Sequence, residues 1–416
     1  MSAIKLPQLA WYGNKEPELP LPDNWSVKFY NMAGFDRPAM NPEAIKAAIA
    51  NPIGSPPLRE LARGKKEVVI IFDVMTRITR TSQIIPSVLE ELAEAGIPDD
   101  RIQFICALGA HMAWDRTLFA KKLGEDTLAR FPVYNHNPFA NCTYVGTTSY
   151  QTPIYVNAEV MNCDLKIGIG SVVPHPNAGF GGGGKIILPG VSSIETISHF
   201  HSKEEEYNKK HPDRQDIGFG LFDNNPLRLN IAEAAALSGL DIKIDCLLNA
   251  RGETVDIFAG ALAPTYEAAV AEAKTHYLTP RINGEEIFIA NSFAKANEGP
   301  MVGLKVPFIA TSSKDIDIVL ITNAPDGQVT HYLLGNFGKT VTSEQKLVVK
   351  LPQRVKHLIV YSEYPDLAGR GYLEKSDRIL YANRWDDVLR ILQGYHGAEA
   401  RVAVYPNAEI QYCAYQ

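Results

Sequence analysis

A histidine between two prolines, a run of four glycines and a lysine follow one another in SVVPHPNAGFGGGGKIILPG, residues 171–190. From Gly179 to Lys185 the spacing fits the first seven positions of a phosphate-binding loop. That loop also needs a strand running straight into its first glycine, a Ser or Thr for magnesium, and a long helix. Here SVVPHPNA intervenes, Ile186 takes the hydroxyl position, and Pro189-Gly190 halts any helix. The spacing therefore does not describe a nucleotide hydrolase. The glycines still mark backbone that something approaches closely. Lys185, in so apolar a setting, reads as functional rather than as a solvated charge.

Ten histidines are spread along the chain. His136, His211, His276, His331, His357 and His396 have no context that sets them apart. His111 follows a strand-like run and a glycine in ALGAHMAW, where a side chain would project into a cleft. His175 lies in PHP, so its backbone is held extended. His199 and His201 lie in SSIETISHFH, behind an N-cap at Ser192 or Ser193. Two residues apart on a helix, they do not share a face, so at most one reaches a common site. His111, His175 and His201 could ligate zinc with an open fourth position, although no HExxH-type spacing is present. In FDVMTRITRTS, residues 72–82, Arg77 and Arg80 stand among Thr76, Thr79, Thr81 and Ser82. Two guanidinium groups among hydroxyl and amide donors suit a phosphate or a carboxylate.

The elements that must position these residues alternate between strand and helix. EVVIIFD (67–73) is a continuous apolar run of the kind that forms a buried parallel strand. SQIIPSVLEELAEAGI (82–97) has helical spacing with a glycine stop, and RIQFICALGAH (101–111) is the next strand, completing a βαβ unit. DLKIGIG (164–170) runs directly into the glycine-rich stretch. IKIDCLLNARGETVDIFAG (242–260) reads as a hairpin and APTYEAAVAEAKTHYL (263–278) as a helix. Beyond TPRING, EEIFIANSF, IDIVLITNA, HLIVYSEY and ARVAVYPN read as strands, with RWDDVLRILQGYHG as an amphipathic helix. The expected fold is α/β, with two α/β domains built on largely parallel sheets. A larger N-terminal domain spans 1–280 and a smaller C-terminal one 281–416, with the active site in the interdomain cleft. Residues 1–66, holding one helix at 41–50, are assigned to the first domain. DVMTR, GAH and the glycine-rich stretch each follow a strand, where open α/β sheets bind ligands.

Composition narrows the function classes. The 416 residues carry a formal net charge of -6 with scattered lysines and arginines, which argues against a nucleic-acid partner. Apolar runs such as VVIIF are too short to span a bilayer, and the N-terminus shows no secretory pattern. Five isolated cysteines with no CxxC pair suggest neither a disulfide framework nor a cysteine-rich zinc site. The expectation is a cytoplasmic, enzyme-sized protein.

The assembled residues resemble the nickel-pincer lactate racemase family, whose members isomerise 2-hydroxy acids. DVMTRITRTS resembles that family's DxTRPTPTS-like segment, GAHMAW its glycine–histidine turn, and VVPHPNAGFGGGGKIILPG its most diagnostic stretch. VSSIETISHFH follows at the expected separation, and the likeness covers most of the chain in order and spacing. The resemblance implies a nickel-pincer nucleotide, a pyridinium-3,5-bisthiocarboxylic acid mononucleotide holding nickel between two sulfurs and a carbon. It implies an N-terminal cofactor-binding domain in which Lys185 contacts the cofactor, through a thioamide in some members. Asp73, Thr76, Arg77, Gly181, Gly182, Gly183 and Gly184 would surround the cofactor, as backbone space for a bulky ring. His201 best matches the histidine that completes the nickel coordination, His111 and His175 match acid/base residues flanking the substrate, and Arg77 matches the arginine that holds it. Arg80, Lys295 and Asn297 are further substrate candidates, the last two in the loosely matching NSFAKANEG (291–299). Val74 replaces a second acidic residue of the family, while Ile78 and Arg80 replace prolines, and Arg80 adds a positive charge.

The implied chemistry is coherent. Removing the α-proton of a 2-hydroxy acid would leave a poorly stabilised carbanion beside a carboxylate, whereas hydride removal leaves a 2-oxo acid. Two imidazoles with unperturbed pKa near 6.5 can take and return the hydroxyl proton in both directions. The expected substrate is a small-molecule 2-hydroxy acid or a sugar acid inverted at C2, with cofactor-synthesis proteins as transient partners. The competing readings are a zinc hydrolase on the same histidines and a non-catalytic protein that carries the cofactor.

Overall fold

The computed structural model describes residues 2–300, 305–310, 315–335 and 348–414. The chain divides into two compact units. An N-terminal unit comprises Arg37–Asn249 and Glu253–Lys274, and a C-terminal unit comprises Met1–Asp36, Ala250–Gly252 and Thr275–Gln416.

The N-terminal unit is built on a six-stranded sheet. Its order is Thr254–Gly260, Ile242–Leu248, Leu165–Ser171, Val68–Asp73, Ile102–Ala107 and Val133–Asn135. Every neighbouring pair is parallel except the hairpin of the first two. Val68 to Phe72 are all fully buried, which explains why that strand is a continuous apolar run rather than an alternating one. Helix Thr81–Glu94 buries Ile84, Ile85, Val88 and Leu92 at helical spacing and tolerates Pro86 within it. Beneath the sheet, Val69, Ile71 and Ile105 pack with Ile186, Ile187, Leu188, Ile231 and Ala235 in one apolar cluster. The glycine-rich stretch is therefore part of the core on one side.

The C-terminal unit carries a second six-stranded sheet, ordered Ile379–Ala382, Val355–Tyr361, Ile316–Ile321, Ile287–Asn291, Arg401–Tyr405 and Ser26–Phe29. All of its pairs are parallel. Helix Trp385–His396 buries Trp385, Val388, Leu389 and Leu392, the stripe its spacing predicts.

The N-terminal segment departs from the domain boundary expected at residue 280. Residues 26–29 join the edge of the C-terminal sheet, with Val27 opposite Val402 and Phe29 opposite Val404. Leu19, Leu21 and Trp25 pack into the same core as Ile287, Ile289 and Val404. A parallel edge strand needs only complementary backbone and an apolar neighbour. Nothing local in the segment specifies which of two similar sheets supplies them.

Candidate functional site

Val68–Asp73 sits at the middle of its sheet, flanked by Ile102–Ala107 and Leu165–Ser171 in parallel register. The three motif loops leave the C-terminal ends of these adjacent strands, so topology alone brings them to one edge.

The first loop is held from below. Asp73 pairs through Oδ1 with Lys122 Nζ at 2.5 Å, and the Thr79 hydroxyl donates to its Oδ2. Lys122 is a fully buried lysine on helix Arg116–Leu123, and it also donates to the carbonyls of Arg77 (2.8 Å) and Val74 (3.3 Å). Burial pushes the pKa of this ammonium down while Asp73 pulls it back up. Arg77 Nη1 donates to Thr76 Oγ1 at 2.7 Å and to the Thr76 carbonyl at 3.0 Å. Asp73 and Thr76, singled out by sequence for the cofactor, thus spend these contacts on shaping the Arg77 loop. Arg80 occupies the N-cap position of helix Thr81–Glu94, where burial lowers its pKa against the opposing charge of Glu253.

The second loop is tied to the third. Gly109, at φ +58°, donates its N–H to the Gly190 carbonyl at 2.8 Å, and the His111 N–H closes a turn onto Leu108 at 3.0 Å. His111 is thereby fixed beside the end of the glycine-rich stretch.

Within that stretch, Pro174–His175 pairs antiparallel with Gly179–Phe180. His175 Nδ1 accepts the N–H groups of Asn177 and Ala178, each at 3.2 Å. In the neutral ring the proton therefore sits on Nε2, and His175 presents an N–H donor. Lys185 lies in the 3-10 turn Gly183–Ile186, its N–H on the Gly182 carbonyl (3.1 Å) and its carbonyl accepting from Gly190 (3.1 Å).

Two of the four glycines also face the protein's own side chains. At Gly183 (φ +53°) a Cβ would stand 2.6 Å from the Tyr266 ring, and at Gly182 one would stand 2.8 Å from Asp245 Oδ1. The close approach is to the protein's own side chains. Asp245 Oδ2 accepts the Gly183 N–H at 2.8 Å, its Oδ1 pairs with Lys243 Nζ at 2.6 Å, and Tyr266 donates to the Phe180 carbonyl at 2.9 Å. An internal carboxylate already fills the place a phosphate would take at the start of this turn.

Helix Ile194–Lys210 starts at Ser193, whose hydroxyl accepts the Thr196 N–H at 3.2 Å. His201 Nδ1 lies 2.7 Å from the Ile197 carbonyl one turn back. That contact places the proton on Nδ1 and makes Nε2 the lone-pair nitrogen, the tautomer a metal requires. Among the described residues His199 Nδ1 is buried with no hydrogen-bond partner, and burial, then the charge of Lys203, lowers its pKa. Among the described residues no three His, Cys, Asp or Glu side chains converge as a metal cage. His111, His175 and His201 therefore do not supply the zinc set that the hydrolase reading needs, since such ligands must all approach one ion to about 2 Å. A single correctly tautomerised histidine instead fits a metal that brings its own donors. Lys295 and Asn297 lie in the other unit, after strand Ile287–Asn291, with Lys295 buried and Asn297 half-buried. Sequence reasoning missed Lys122, Lys243, Asp245 and Tyr266. The one signal present was the Lys–Asp pair at alternate positions of the otherwise apolar IKIDCLL strand, which places both on one face.

Fold and loops together define an α/β protein with a histidine- and lysine-bearing site at the C-terminal edge of a parallel sheet. Residues 12–211 match the family described as lactate racemase N-terminal domain. It is 30% identical over 264 residues to the lactate racemase of Thermoanaerobacterium thermosaccharolyticum, an alignment covering 62% of this chain and 59% of that protein. It is 26% identical over 310 residues to the lactate racemase of Lactiplantibacillus plantarum, covering 73% and 72%. The solved lactate racemase apoprotein of T. thermosaccharolyticum shares the fold across all of both chains, with TM-score 0.73 and 19% identity. A Thermotoga maritima protein shares it over 90% of this chain and 98% of its own, with TM-score 0.65 and 19% identity. Among the described residues no helix is long and apolar enough to cross a membrane.

Proposed function

We propose that this protein is an isomerase that inverts the C2 centre of a 2-hydroxy acid, using a nickel-pincer nucleotide held on Lys185. The observation that carries this reading is the His201 tautomer, in a chain whose residues 12–211 match the lactate racemase N-terminal domain. Its Nδ1 is committed to Ile197, so Nε2 carries the lone pair that would complete the coordination of a metal supplied with its other donors. When bound, the nucleotide supplies a site that accepts hydride from C2 and gives it back. Arg77, its backbone clamped by Lys122, engages the substrate carboxylate in a two-point contact. His111 takes the hydroxyl proton, while His175, presenting Nε2–H, hydrogen-bonds to the substrate oxygen. For His175 to take a proton in the reverse direction, its ring must release the two backbone N–H groups on Nδ1. The substrate is a small 2-hydroxy acid or a sugar acid, the protein works in the cytoplasm, and cofactor-synthesis proteins meet it transiently.

Native mass spectrometry of protein made in a cofactor-synthesising host tests the reading. A nickel-containing, nucleotide-sized adduct is expected, and it should be lost in Lys185→Ala. His111→Ala and His175→Ala should keep the adduct and lose interconversion of 2-hydroxy acid enantiomers. A bare chain, from a host that loads a known family member, refutes the cofactor assignment. An adduct with no turnover of any 2-hydroxy acid would make the protein a carrier.

A further inference from the structure

Two buried ion pairs underlie the loops that carry Arg77 and Lys185. Lys122–Asp73 and Lys243–Asp245 are separated only by Gly170 of the central strand Leu165–Ser171. A Cβ at Gly170 would stand 3.5 Å from Asp73 Oδ2, 3.5 Å from Lys243 Nζ and 3.8 Å from Asp245 Oδ1. The Lys122, Lys243 and Asp245 side chains are at most 1% exposed, and Asp73 13%. The quartet is neutral overall, so it is not an anion or cation site. Nor does stability alone call for it, because apolar residues of similar volume usually serve a core as well as buried ion pairs do.

What distinguishes the quartet is what it grips. Lys122 holds the carbonyls of Val74 and Arg77, and the Arg77 N–H closes onto the Val74 carbonyl at 2.9 Å. The peptide groups on both sides of the Arg77 α-carbon are thus held by hydrogen bonds. On the other side Lys243 aims Asp245, and Asp245 takes the N–H of Gly183, which opens the turn bearing Lys185. We propose that these four are positioning residues with divided duties: Lys122–Asp73 sets the substrate arginine and Lys243–Asp245 sets the cofactor lysine. The assignment of duties rests on the proposed function; the mechanical division does not.

Hydrogen exchange on the full-length apoprotein reads the division directly. In Lys243→Met and Asp245→Asn, amides of residues 181–187 should exchange about tenfold faster while those of residues 74–80 keep their protection. Lys122→Met should do the opposite, with Asp73→Asn as the second variant should Lys122→Met not fold. On holoenzyme, Lys122→Met should raise KM for the 2-hydroxy acid about tenfold at unchanged cofactor occupancy, whereas Asp245→Asn should lower occupancy and leave KM of the loaded fraction alone. Loss of protection spread evenly through the N-terminal unit, or both loops loosening together in every variant, overturns the proposal. Should the wild type turn over no 2-hydroxy acid, the functional reading falls, and the exchange data still decide the division.

Discussion

Acidification should weaken the fold through His136, and the size of the effect follows from the contacts of its ring. His136 is 2% exposed, with Nε2 2.8 Å from the Ser192 carbonyl and Nδ1 3.0 Å from Asn157 Nδ2. The Asn157 amide cannot readily turn over, because its Oδ1 caps helix Ala158–Asn162 by accepting from Glu159 and Val160. The ring therefore donates from Nε2 and accepts at Nδ1, and among the described residues no acceptor faces a second proton. Burial pushes its pKa down to about 4, with the Ser192 carbonyl pulling weakly the other way. The unfolded chain, near 6.5, takes up the proton first. The stabilisation is thus complete above pH ~6.5 and drains away as the pH falls towards 4. At about 1.4 kcal/mol per unit, a fall from ~6.5 to ~4 is worth about 3 kcal/mol, a large share of a domain's stability. Urea denaturation of wild type and His136→Gln, run from about pH 7 to about pH 4, measures it. The stability gap between the two proteins should close by about 3 kcal/mol across that window. A gap that stays constant with pH would refute the reasoning, because it would show that His136 titrates alike in both states.

Two further outcomes follow from the same kind of argument. Glu409 is fully buried, and burial raises its carboxyl to about 7, so its ionisation costs stability as the pH rises from about 4.5. Glu409→Gln should therefore stabilise the protein by up to about 3 kcal/mol at pH 8 and by almost nothing at pH 4, which thermal melts at the two pH values would check. Gly183→Ala should cost more than about 2 kcal/mol, from a left-handed backbone angle and a Cβ 2.6 Å from the Tyr266 ring, and a denaturation midpoint within error of wild type would contradict that.

Much of the N-terminal sheet could be read from local pattern. Val68–Asp73, Ile102–Ala107 and Leu165–Ser171 are apolar runs bounded by turn residues, and burial on both faces leaves no other arrangement for them. Their order along the chain puts Arg77, His111, His175 and Lys185 after strand ends. The character of the supporting residues could not be read in that way. Lys122, one of two adjacent lysines on a helix, looks like any solvent-facing charge, and only packing against Asp73, Val74 and Arg77 takes it out of water.

The chain's sequence alone determined the strands, the helix stripes and the histidine, glycine and lysine motif, because periodicity and turn chemistry act over a few residues. Only the tertiary structure decided the rest. Gly182 and Gly183 make room for Asp245 and Tyr266, and Asp245 lies 62 residues beyond Gly183. The first 36 residues join the C-terminal unit, with Ser26 opposite Arg401. His201 carries its proton on Nδ1 because of a carbonyl one helical turn away. In the first two cases the deciding partner is distant in the chain, and in the third it is a matter of side-chain geometry. Packing, hydrogen bonding and the cost of burying charge select such partners, and residue spacing carries no record of them.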